Sequence, residues 1–99
     1  MAALPPLPGT GWTARERAEI DRLEAYCRDL GHSGLECTYT DAGDPYCVVY
    51  GEHPDTVVLH IARIDRRYVV DAPGRARSVT VPTIEVAIDI AITQLTLLA

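Results

Sequence analysis

Residues 45–70 read PYCVVYGEHPDTVVLHIARIDRRYVV, three short apolar runs separated by two turns. The runs cover residues 45–50, 56–64 and 68–70. Val, Ile and Tyr dominate them, and these side chains suit a pleated, half-buried surface. Gly51-Glu52-His53-Pro54-Asp55 makes the first break, because Gly and Pro punctuate strands and Pro cannot donate to a ladder. Asp65-Arg66-Arg67 makes the second. The pattern predicts an antiparallel β-meander. In the second run Val57, Leu59 and Ile61 share one face and Val58, His60, Ala62 and Ile64 the other. In the first run Tyr46, Val48 and Tyr50 oppose Cys47 and Val49. Both faces are apolar, so either the sheet is covered twice or one face is an interaction surface.

Upstream, Thr13-Ala14-Arg15-Glu16 has the pattern of a capping box, in which Thr bonds the N3 amide and Glu reaches back. Ile20, Leu23, Cys27 and Leu30 then recur at helical spacing, with Gly31 placed to end the helix in a left-handed conformation. A helix over residues 14–30 follows. Residues 35–40 alternate with period two and read as a half-exposed edge strand closed by the turn Asp41-Ala42-Gly43-Asp44. Residues 71–81 read as a long connection turned by Pro73-Gly74.

Residues 82–99 fit two patterns. Ile84, Val86, Ile88, Ile90 and Ile92 alternate as in a strand, yet Glu85, Asp89, Thr93 and Thr96 form a polar stripe at helical spacing. The run is too long for a typical strand, which arbitrates for helix. Pro82 suits its first turn, and Glu85 and Asp89 suit the positive end of its dipole. The expected architecture is α+β in the order α-β-β-β-α, a three-stranded antiparallel meander packed against two helices. Residues 1–12 form a Pro-rich leader pinned by Trp12, and residues 13–99 a single domain. The leader contains a P-x-x-P match from Pro5 to Pro8.

That order of elements resembles the double-stranded RNA-binding domain topology, with DPYCVVYGEHPDTVVLHIARI similar in layout to that family's second and third strands. The resemblance implies a shared shape over residues 13–99. It would place phosphate-gripping bases at the start of the second helix, where this chain has Pro82-Thr83-Ile84-Glu85. The central segment also looks like one found in uncharacterised bacterial proteins with a similar run, here His60-Ile61-Ala62-Arg63-Ile64-Asp65.

Composition sets further limits. Ninety-nine residues with 47% hydrophobic content can bury a core without metal or disulfide. The net charge of -5 argues against a general nucleic-acid binder, which needs cations to displace counterions. All nine basic residues are Arg, and Lys, Asn and Phe are absent, as expected of a GC-rich bacterial genome. Three cysteines without a CxxC pair, and a start lacking a basic, apolar signal, predict a reduced cytoplasmic setting with buried thiols. No apolar run has membrane-spanning length.

Candidate chemistry is sparse. Cys27, Cys37, Cys47, His32, His53 and His60 lack zinc-knuckle spacing, so no metal or other cofactor is assigned. His60 stands mid-strand without a nucleophile beside it, and no catalytic residue is assigned. Asp41 and Asp44 read as turn residues. Arg63, Arg66, Arg67, Arg75 and Arg77 could contact an anion or an acidic partner. A last helix this apolar needs cover on several sides. Val86, Ile90 and Leu97 then mark an interface, with a dimer as the favoured homo-oligomer or a different protein as partner. The functional expectation is a non-enzymatic protein-interaction or self-association module. The alternative is a nucleic-acid-associated regulator using the arginine cluster.

Overall fold

A computed structural model describes residues 11–32, 34–53, 55–73 and 78–98. The elements are α1 (Ala14–Asp29), β1 (Gly34–Tyr39), β2 (Pro45–Tyr50), β3 (Val57–Ile64), β4 (Arg67–Asp71), β5 (Val79–Val81) and α2 (Ile84–Leu98). The strands form one antiparallel sheet in the order β1-β2-β3-β4-β5. The α+β class holds, but the sheet has five strands and not three. The edge strand read at residues 35–40 is β1, which joins the sheet on one side of the central meander, and β5 adds a strand on the other. Strand β5 lies inside the stretch expected to be connection. At three residues it is too short for alternation to distinguish it from a loop.

Capping chemistry sets the ends of α1. The Thr13 hydroxyl accepts from the Glu16 amide at 3.2 Å, and the Glu16 carboxylate accepts from the Thr13 amide at 2.8 Å. Leu30 is the C-cap and Gly31 follows at φ 79°, the left-handed position that glycine occupies without Cβ strain. Helix α2 begins after Pro82, which lies outside it. Thr83 is the cap: its hydroxyl accepts from the Val86 amide at 3.3 Å and its carbonyl from the Ala87 amide at 3.1 Å.

Register separates the two sheet faces. Cys47, Val49, Leu59, Ile61, Val70 and Val81 point to one side and bury against Ile20, Leu23 and Cys27 of α1 and Ile84, Ala87, Ile88, Ala91 and Leu95 of α2. Both helices therefore lie on the same face. An odd number of antiparallel strands separates them, so they run parallel: Arg15 meets Glu85, Arg22 meets Asp89 and Tyr26 meets Thr96. The opposite face carries Thr38, Tyr46, Ala62, Val69 and Thr80 in one cross-strand row and Glu36, Val48, His60 and Asp71 in the next. No helix among the described residues covers it.

Trp12 is fully buried, and residues 1–10 of the leader that it was expected to pin lie outside the described residues. Gly11 precedes it at φ 69°, and a Cβ there would stand 2.6 Å from the Tyr39 ring and 2.9 Å from Pro45. Only glycine allows the chain to enter the core at this point. The P-x-x-P match lies outside the described residues.

Candidate functional site

A helix on one face of a sheet normally presents polar groups to the side away from the sheet. Helix α2 does so only along one flank. Of the four residues in its polar stripe, three reach sideways to partners on α1. Arg15 bonds Glu85 at 2.7 Å, Arg22 bonds Asp89 at 2.8 Å, and the Tyr26 and Thr96 hydroxyls pair. The backbone hydrogen bond at Glu85 and then Arg15 hold the Glu85 carboxyl below its ordinary range. Arg22 also bonds Glu19, and the Asp89 and Glu19 hydrogen bonds raise its guanidinium.

Beside that stripe α2 turns Val86, Thr93 and Leu97 outward, with Ile90 on the inner edge of the row and the exposed Asp89 on the other. Val86 is 42% exposed and Leu97 66%, whereas Ile90 is half-buried and packs partly on the core. Val86, Asp89, Ile90, Thr93 and Gln94 line a shallow depression of about 280 Å³. The four residues are spaced by four, three and four positions, the spacing of a helix-pairing seam. The predicted interface residues Val86, Ile90 and Leu97 thus fall on one ridge. The feature missed from sequence was Thr93, assigned to the polar stripe because its hydroxyl counted as polar. That hydroxyl bonds the Asp89 carbonyl at 2.9 Å, so its methyl group is free to face outward.

The arginines do not act as one group. Arg63 lies on the helix-facing side of β3 and bonds the buried Glu16 carboxylate. Its guanidinium also donates to the Gly11 carbonyl at 3.3 Å and stands 5.8 Å from the Trp12 ring centre. Arg66 and Arg67 are exposed at the β3–β4 turn, where Asp65 and Arg66 both take positive φ, 51° and 65°. Arg75 and Arg77 lie outside the described residues.

Glu16 is the most deeply buried charge among the described residues. Burial pushes its carboxyl up, but hydrogen bonds from the Tyr68 hydroxyl at 2.6 Å, the Thr13 amide and Arg63 prevail, and it settles below 4.5. Burial and then Glu16 push the Tyr68 phenol up to about 12. A cleft of about 290 Å³ opens beside this network, between the first turns of both helices. Glu16 and Glu85, which line it, are already engaged by protein donors, so the network reads as an anchor for α1.

Cys37 and Cys47 face each other across β1 and β2 with 3.1 Å between sulfurs, whereas Cys27 is buried in α1. His60 lies on the helix-free face, 3.8 Å from Asp71 and edge-on to Tyr46. Among the described residues no three His, Cys, Asp or Glu side chains gather as a metal site. No described helix is long and apolar enough to cross a membrane. No family model matches the chain, and no curated protein or solved structure matches it.

Proposed function

We infer that the domain is a non-enzymatic self-association module, and that α2 of a second copy is the occupant of its outward ridge. The observation that carries this is the Val86-Ile90-Thr93-Leu97 row, apolar where a finished surface helix would be charged. Its spacing is that of a two-helix seam, and a two-fold axis brings an identical row against it. The flanking charge does not oppose the pairing, because Asp89 is already neutralised by Arg22 within its own chain. The ridge itself carries no cation or anion.

Light scattering during size exclusion tests the reading. A dimer of about twice 10.8 kDa at micromolar concentration is expected, and Ile90→Glu should convert it to a soluble, less stable monomer. A wild-type monomer across that range would remove the proposal. The nucleic-acid alternative has less support, since Arg63 is committed to Glu16. It returns if duplex RNA binds with steep salt dependence.

A further inference from the structure

We propose that Cys37 and Cys47 are a dithiol switch, closed to an intramolecular disulfide by a small hydroperoxide and reopened by thiol reductants. The Thr40 amide donates to the Asp44 carbonyl at 2.8 Å, so that pair is a hydrogen-bonded site of the hairpin. Sites alternate along an antiparallel ladder, which puts Tyr39 and Pro45 at a non-bonded site, as Pro45 requires. Thr38 and Tyr46 are then bonded and Cys37 and Cys47 non-bonded. At such sites opposed Cα atoms are about 4.5 Å apart and their side chains are closest. That separation lies within the span a disulfide bridges, roughly 4.4–6.8 Å. The sulfurs are already 3.1 Å apart.

The two thiols are unequal in the way a switch needs. Cys37 is half-buried on the edge strand, and the half-buried Arg17 guanidinium stands 3.4 Å from its sulfur. Cys47 is fully enclosed. The hydrogen bond from Cys47 lowers the Cys37 thiol to about 7 against burial, and the Arg17 charge adds to it, while Glu24 opposes. Cys47 moves the opposite way, raised by Cys37 and by burial, with the Trp12 indole opposing. Cys27 has no such partner and burial lifts it to about 11. Cys37 is therefore the attacking sulfur and Cys47 the resolving one.

The chemistry balances in two steps. The Cys37 thiolate attacks the distal oxygen of the hydroperoxide, the O–O bond breaks, and the alkoxide leaves and takes a proton as the alcohol. Cys37 is now a sulfenic acid. The Cys47 sulfur then attacks the Cys37 sulfur, hydroxide leaves, and the Cys47 proton completes a molecule of water. Two thiols are oxidised and one peroxide is reduced. The new bond would fasten the edge strand β1 to β2 directly beneath Trp12.

The test uses the full chain, reduced, freed of reductant, and exposed to graded hydrogen peroxide at neutral pH. Intact mass should fall by two hydrogens, with Cys37 and Cys47 linked in a peptide map and Cys27 still free. Emission of the single Trp should change with the same rate constant and recover with dithiothreitol. Cys47→Ser should leave a Cys37 sulfenic acid trappable by dimedone, and Cys37→Ser should abolish the fast reaction. Arg17→Gln, half-buried on the flank of α1, should move the pH profile of the rate upward and slow it roughly tenfold at neutral pH, with Arg17→Lys restoring part of it. Oxidation of Cys27 at the rate of Cys37, or a rate equal to that of the chain unfolded in guanidinium, would overturn the proposal. So would over-oxidation of Cys37 without the linkage.

Discussion

The two helices share a layer and a direction, but their outer sides differ. Helix α1 exposes Asp21, Arg22 and Arg28, each paired one turn away with a half-buried partner on its flanks, Arg17, Glu19 and Glu24. Helix α2 has the row Val86, Ile90, Thr93 and Leu97 on its outer side. Their inner sides are equivalent: Ile20, Leu23 and Cys27 on one and Ile84, Ile88, Ala91 and Leu95 on the other are almost wholly buried. Both charges of α2 pair with arginines of α1, and only Asp89, paired with Arg22, borders the outer row. A helix can therefore satisfy its own domain completely and still present an apolar ridge.

The equivalence of the inner sides is broken by the largest effect. Ile20→Asp, Ile88→Asp and Ile61→Asp in the strand beneath should each cost on the order of 4 kcal/mol or more and unfold the domain, because each buries an unpaired charge. Circular dichroism under denaturant measures it. His60→Ala on the helix-free face should stay folded, and a folded Ile61→Asp protein would mean that the sheet faces are reversed.

Next comes the anchor of α1, which α2 lacks. Glu16→Ala leaves Arg63 and Tyr68 without their acceptor and should cost about 3 kcal/mol. The carboxyl of Glu16 is lowered on folding, so its contribution is present above 4.5 and lost as pH falls through the lower, folded value. Denaturation of wild type and Glu16→Gln from neutral pH to about pH 2 should show the steeper acid loss in wild type. Tyr68 acts in the opposite direction: its phenol is raised, so that share is complete below 10 and lost as pH rises toward 12.

The outer sides are compared most directly by matched charges. Leu97→Glu on α2 should weaken self-association at least tenfold, about 1.4 kcal/mol, yet change monomer stability by no more than about 0.5 kcal/mol. Ala25→Glu on the exposed side of α1 should change neither. Sedimentation at several concentrations distinguishes them, and equal effects from both would remove the distinction between the helices. The smallest effect belongs to the seam. Arg22→Ala removes contacts to Glu19 and Asp89 but should cost less than about 1 kcal/mol, and less again in high salt.

Much of this was legible where a local rule applied. Thr13, Glu16 and Gly31 announce α1 because capping is decided within one turn of chain. Helix was the right choice within residues 82–99, where it runs over Ile84–Leu98, because length outweighs alternation there. What failed needed a third dimension. The stripe of α2 was visible as a stripe, but not that α1 would lie along it, since Arg22 and Asp89 are 67 positions apart. Arg63 read as a free cation because nothing near it in sequence shows that the Glu16 carboxylate would fold beneath it. The thiol pair was nearer to hand. Once the turn at Gly43 fixes the hairpin, Cys37 and Cys47 must oppose each other, and the sequence reading stopped at their odd number and spacing.

The strand order has a consequence for how the chain folds. Every strand pairs only with its neighbours in sequence, so each ladder closes over a short loop and the sheet can grow by successive hairpins. The two-residue turn at Asp65 and Arg66 is a natural place for that growth to begin, since its backbone twist matches the strands. The docking of α2 beside α1 spans the most chain, 70 positions between Arg15 and Glu85, ahead of the 47 and 52 positions that separate Glu16 from Arg63 and Tyr68. Folding should then be governed by one late closure of the helical layer over a sheet already formed, with α2 the last element to lose its freedom.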